Sequence, residues 1–385
     1  MKHFTKLLAV ILCMVIAFST AACSMSPQWS YKAEGSEEEL AIGVYIYAMY
    51  NAYSQAQTYA QETDAYNSET GTYNGDESFL DIEITDEDGN KAVAKQWILD
   101  EADKTMKTII AIDAEFDRVG ATIDEVSAKA SAKETWELGP YAMYGEQYIN
   151  PLKDVFEPYG VSYESFEYFY LTTSKEQAIF DKLYNEGGEK AVSDKELTDY
   201  FVKNYTSYTY FNTNLYTTEQ VSDGGEGELS KNKAMSKEEI AKHENNYKGY
   251  VNSIIQGKSI DDVKKAHVKD YKLESDNAVS SVEILKDSSI GEDLVKAIEA
   301  LKEGQASYKT IGEKESQVIY FFYKEPIKNQ VKNYIDNDQN KQSVLQTMKG
   351  EEFKDYIKKL ADGTKVEIND AVNDYDPSMF EEKEN

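Results

Sequence analysis

Three histidines, two cysteines and thirty tyrosines are the residues with which this chain could do chemistry. So few His and Cys in 385 residues leave little material for zinc, haem or a disulfide framework, so no metal and no cofactor is expected. Asp86, Asp88 and Gly89 suggest a calcium loop. An EF-hand, however, places its glycine sixth and an acid first, and the first position here is Ile84. His243 and His267 lie in polar helical stretches and read as exposed. The tyrosines offer an apolar ring with a polar tip and little rotamer entropy to lose. Runs around Tyr45 and Tyr50, and around Tyr168 and Tyr170, are therefore candidates for an amphipathic cradle that holds polypeptide loosely. The competing reading packs the same rings at core edges.

Charge narrows the partners. Lys and Arg number 41 against 70 Asp and Glu, a net charge of −29, which repels nucleic-acid backbones and anionic headgroups. Lys2, His3 and Lys6 precede the apolar run Leu7–Phe18, which is too short to span a bilayer and reads as a secretory signal over residues 1–22. Ser19-Thr20-Ala21-Ala22-Cys23 resembles the lipobox of bacterial lipoproteins, with Thr20 where an aliphatic residue is usual. That resemblance implies a lipid on the Cys23 thiol and an anchor at the outer face of the cell membrane. Ordinary cleavage would instead leave Cys23 free. Cys13 leaves with the signal, so no internal disulfide forms. Residues 23–36 are polar and read as a flexible tether.

The elements that must position these residues follow from spacing. Ser36-Glu37-Glu38-Glu39 has capping-box form, and Ile42, Ile46, Met49 and Tyr53 carry a helical stripe to about Gln61. Phe79–Thr85 alternates as a strand before a turn at Asp88-Gly89. Ile98, Ala102, Ile109, Ile112 and Phe116 mark a long helix stopped by Gly120. Thr122, Ser174 and Ser193 read as caps of three further helices. After Tyr205 the texture changes. Thr206–Tyr216 is a strand, residues 222–228 a flexible loop, and Ser236 and Ser259 cap helices. Val279–Leu285 and Gln317–Tyr323 are strands, with a short helix closed by Gly304 before the second. Residues 327–362 return to helix, interrupted at Gly350, and 374–385 form an acidic tail read as disordered. The fold class is α+β.

Three stretches carry a family resemblance: Gly43-Val44-Tyr45, Lys95–Ala102 (KQWILDEA), and Tyr184–Leu197 (YNEGGEKAVSDKEL), with Lys365–Asp370 (KVEIND) near the end. With the exported signal and the inserted α+β segment, they resemble the PrsA/SurA-type extracytoplasmic foldases. The resemblance implies a helical chaperone domain built from residues 37–204 and a C-terminal helix over 327–373. Inserted between them would be a parvulin-type peptidyl-prolyl isomerase domain over 205–326. It also implies unfolded or partly folded exported proteins as partners.

Parvulins carry two buried histidines, one on the first strand and one on the last. Counting from Asn204-Tyr205 and back from Pro326 puts Tyr210 and Tyr320 at those positions. The glycine-rich phrase expected before the next strand is absent, since residues 271–285 hold no glycine. The reading is a membrane-anchored chaperone whose parvulin-like domain is catalytically impaired. Alternatives are an active isomerase with a Tyr-modified site at Tyr210 and Tyr320, or a non-catalytic binding or structural lipoprotein on the same scaffold.

Overall fold

A computed structural model describes residues 28–73, 78–222 and 228–381. The signal, Cys23, the first residues of the expected tether, Asp223–Gly227 of the expected loop and Glu382–Asn385 of the acidic tail lie outside the described residues. The fold is α+β and divides into two compact units, 1–191 with 351–385, and Val192–Gly350.

The first unit opens with β1 (Trp29–Ala33) and β2 (Leu40–Ala41), then α1 (Ile42–Gln61). Trp29–Ala33 therefore departs from a flexible tether. Ser30 is fully buried with its hydroxyl donating to the Leu40 and Ala41 carbonyls, and the Tyr31 hydroxyl donates to Asp103 at 3.1 Å. The same strand pairing displaces the expected helix start. Ser36 closes only a turn with Glu38, and β2 takes Leu40 and Ala41 into the ladder, so the helix begins at Ile42 with no side-chain cap.

Two short hairpins follow, β3 (Tyr66–Asn67) with β4 (Thr72–Tyr73) and β5 (Glu83–Thr85) with β6 (Lys91–Val93). Phe79–Asp81, expected as strand, is a 3-10 turn whose Phe79 and Leu80 are buried. Next come α2 (Ala94–Val119), ended by Gly120, α3 (Glu125–Leu138), α4 (Leu152–Phe156) and α5 (Tyr163–Tyr184). The caps are Asp124 and Ser162 rather than Thr122 and Ser174. Ser174 sits inside α5 because Phe166, Ile179, Phe180 and Leu183 keep one buried stripe running past it. Gly43 is where α1 meets α5: a Cβ there would stand 2.5 Å from the Ser165 hydroxyl, so the close approach requires glycine.

The second unit begins with α6 (Asp194–Asn204), capped by a Ser193–Glu196 box, and β7 (Thr206–Asn214). A hairpin of β8 (Tyr216–Ser222) and β9 (Glu228–Ala234) flanks the residues expected as a flexible loop. Capped α7 (Lys237–Ile255) and α8 (Ile260–Tyr271) lead to β10 (Val279–Glu283), α9 (Glu292–Glu299), β11 (Ala306–Ile311) and β12 (Val318–Glu325). The sheet is antiparallel in the order β10-β7-β12-β11, so the first and last strands are central neighbours. α10 (Val331–Ile335) packs on α6, with Tyr334 stacked on Phe201 at 5.0 Å.

α11 (Asp338–Gly363) runs through Gly350 without interruption, and its residues from Glu351 belong to the first unit. There Phe353 meets Phe180 edge-on at 5.3 Å, and the Tyr356 hydroxyl donates to the buried Glu115 carboxylate. β13 (Val366–Ile368) pairs with β1, closing a three-stranded sheet from both ends of the chain. The tail does not dissolve at 374. Phe380 is buried among Tyr50, Tyr53 and Tyr159, with ring centroids 5.1 to 5.4 Å away.

Candidate functional site

The two faces of the inserted sheet differ in chemistry. Because side chains alternate along a strand, β7 sends Tyr208 and Tyr210 to one face and Thr209, Phe211 and Thr213 to the other. The register sets Phe322 against Tyr210 and Tyr320 against Asn212, so Tyr210 and Tyr320 are brought together, their ring centroids 6.3 Å apart. Tyr208 lies beside Tyr210 at 6.2 Å. α9 covers part of this face with Ile298, and Leu285 closes over Tyr208 and Phe322, while Tyr210 and Tyr320 stay half-buried at its margin.

The hydroxyl of Tyr208 donates to Glu283, which also accepts from Ser288 at 2.8 Å. Burial, reinforced by Glu283, pushes the Tyr208 phenol up to about 12. Burial and then the neighbouring Tyr210 raise that of Tyr320. Tyr208 and Tyr320 are thus neutral at physiological pH and are able to donate hydrogen bonds rather than act as bases.

The opposite face holds both described imidazoles. His267 is 1 % exposed and stacks on Phe211 at 4.2 Å, with Phe211 in turn on Phe321 at 4.6 Å. Its Nε2 is 3.3 Å from the Thr213 hydroxyl, which accepts from Tyr247 at 2.8 Å, and its Nδ1 has no hydrogen-bond partner. His243 is half-buried, its Nδ1 2.7 Å from the Tyr271 hydroxyl. The expectation that both are exposed is corrected. Val263, His267 and Tyr271 recur every four residues along α8, and Ile240, His243, Tyr247 and Ile254 form the matching stripe on α7. That spacing was the available signal. Burial lowers the His267 pKa to about 4, against the opposing pull of Asp276 and Asp270, so the ring is neutral at pH 7. Among the described residues, no imidazole lines the tyrosine face.

The tyrosines proposed for a cradle in the first unit sit in its packing. Tyr45 is 3 % exposed under Tyr31, and burial pushes its phenol up to about 12, which corrects its reading as a binding residue. Tyr50 is wedged edge-on between Phe156 at 4.8 Å and Phe380 at 5.2 Å. Tyr168 donates to Asp113, which also pairs with Lys175, and Tyr170 leans on Phe166 at 5.9 Å. These rings belong to α1 and α5 and fill the core edge rather than a shared open cradle. Exposed apolar side chains cluster between α3 and α4, at Tyr141, Met143, Tyr144, Tyr148 and Ile149. The reading of the sequence did not single them out.

Among the described residues, no helix is long and apolar enough to cross a membrane. No family model matches the chain, and no curated protein matches it. Among solved structures, the chain is similar to the foldase protein PrsA from Streptococcus pneumoniae at 13 % identity and a TM-score of 0.28, covering 76 % of this chain and 97 % of that one. It is also similar to PrsA from Bacillus subtilis at 14 % identity and a TM-score of 0.21, covering 70 % of this chain and 91 % of that one.

Proposed function

We propose that the chain is an extracytoplasmic folding helper, held at the outer face of the membrane by a lipid on Cys23. In this reading it binds unfolded exported proteins transiently, and its parvulin-like domain, residues 205–326, has lost imidazole catalysis. A helical chaperone domain comprises residues 37–204 and 327–373. The observation that carries the reading is the placement of Tyr210 and Tyr320 side by side on one sheet face while His243 and His267 occupy the other.

Prolyl rotation meets a barrier of about 18–20 kcal/mol, and an enzyme lowers it by gripping the twisted amide in an apolar slot with hydrogen bonds that strengthen at the transition state. The tyrosine face supplies aromatic rings and hydroxyl donors. It lacks the paired imidazoles of the family it resembles. A second reading, a tyrosine-based isomerase, draws on the 6.3 Å approach of the two rings, which places two hydroxyls on one face.

Prolyl cis/trans kinetics on the purified protein, beside a Tyr210→Phe, Tyr320→Phe double variant, separate the two. The expected result is no acceleration over the spontaneous rate from either protein, together with suppressed aggregation of an unfolded client. Acceleration by the parent protein that the double variant loses establishes the tyrosine-based isomerase instead. Absence of any aggregation suppression overturns the holding function.

A further inference from the structure

Residues 138–150 leave and re-enter the first unit at one point. The Asn150 amide donates to the Leu138 carbonyl at 2.9 Å. A Cβ on Gly139, whose φ is +90°, would stand 2.2 Å from the Asn150 carbonyl oxygen, so glycine is what lets the two sides of the neck meet. Inside the neck, amides of Tyr144, Gly145 and Tyr148 donate to the carbonyls of Tyr141, Ala142 and Gly145 at 3.0 to 3.1 Å, winding two 3-10 turns. The rings of Tyr144 and Tyr148 meet edge-on at 6.4 Å. The segment is an Ω-loop, pinned at its base and packed on itself.

This closed loop puts apolar groups into water. Tyr141 is 64 %, Met143 80 %, Tyr144 68 % and Tyr148 51 % exposed. Single exposed hydrophobics are ordinary, whereas a cluster of them on one ordered loop marks an interaction surface. Charge sets the loop apart as well. From Leu138 to Pro151 the only charged residue is Glu146, in a chain that is 29 % charged. The segments flanking the neck are acidic, with Glu134 and Glu137 before it and Asp154 and Glu157 after it, against Lys133 and Lys153.

We propose that this Ω-loop is the docking surface for a short apolar segment of unfolded polypeptide flanked by lysine or arginine. The proposal rests on the holding function proposed above and names its site and preferred partner. Tyrosine and methionine side chains adapt to varied apolar sequences, the first with little entropy to lose and the second through a flexible, polarizable stem. The acids beside the neck attract basic flanks. Together with the net charge of −29 they repel acidic peptides and anionic lipid surfaces.

The test is fluorescence anisotropy of two labelled peptides that share one aromatic core, flanked by lysines in one and by glutamates in the other. The purified protein is expected to bind the lysine-flanked peptide at least tenfold more tightly. A Tyr141→Ser, Met143→Ser, Tyr144→Ser variant is expected to lose at least tenfold of that affinity with an unchanged melting temperature, since none of the three side chains is buried. Glu134→Gln with Glu137→Gln is expected to narrow the gap between the peptides. Unaltered binding by the triple variant overturns the proposal, as does a preference for the glutamate-flanked peptide. Loop-dependent sedimentation with phosphatidylcholine vesicles, lost in the triple variant, overturns it in favour of a lipid surface. Aggregation suppression by the parent protein alongside unaltered peptide binding by the triple variant removes the loop and leaves the holding function. A parent protein that neither suppresses aggregation nor binds either peptide removes both.

Discussion

At the scale of single residues, His267 is a titratable group held where its charge is most costly. Its folded pKa of about 4 lies below the ordinary histidine value of about 6.5, so the unfolded chain takes up the proton first. Stability contributed by the neutral ring is whole above pH 6.5 and falls as pH drops toward 4, below which this group adds no further change. The loss at pH 5 amounts to about 2 kcal/mol. Urea unfolding of the parent protein and His267→Phe at pH 5 and pH 7.5 checks this. The pH-dependent difference is expected to shrink by about that amount in the variant, because phenylalanine can keep the stack on Phe211 without titrating. An equal difference in both proteins would assign acid sensitivity to the carboxylates alone. His267 was legible in principle, since it shares a four-residue rhythm with Val263 and Tyr271. A lysine-rich surrounding sequence, Lys264, Lys265 and Lys269, hid that stripe.

At the scale of elements, local signals were read correctly where tertiary pairing left them alone. Ser193, Ser236 and Ser259 cap the helices their sequences announce, each by a reciprocal box. Ser36 has the same form and fails because β2 takes the residues that would form the first turn. β11 and the β8–β9 hairpin escaped because their alternation is weak and largely polar, Thr and Lys or Gln standing where an apolar residue would give the period away. Beside the Phe353 contact, the return of α11 to the first unit engages a buried carboxylate. Burial works against the charged form of Glu115, but hydrogen bonds from Arg118 and Tyr356 outweigh it and hold the pKa low. Tyr356→Phe removes one donor from a buried carboxylate and is expected to lower stability by about 1–3 kcal/mol. Hydrogen exchange should then speed up in residues 351–363 before it does so in α1. Uniform acceleration across the first unit would instead make Tyr356 an ordinary part of one cooperative core.

At the scale of the whole molecule, charge and insertion bear together on the proposed holding function. The change of texture after Tyr205 made the inserted sheet legible. The compact unit begins earlier, at Val192, because α6 is bound to α10 through Phe201 and Tyr334, a contact across more than a hundred residues that no local pattern announces. Under the proposed holding function, a net charge of −29 offsets the exposed rings, and the same field is expected to select clients. Screening decides whether that field does more than solvate. The Debye length is about 30 Å at 0.01 M salt and about 8 Å at 0.15 M, so attraction of a basic unfolded client should weaken between the two. The expected outcome is that the amount of protein needed to suppress aggregation of a basic client rises several-fold on adding salt, while that for an acidic client falls or stays level. Equal requirements for both clients at both ionic strengths would reduce the acidic surface to a solvated face. The exposed Ω-loop would then have to recognise its clients by apolar contact alone.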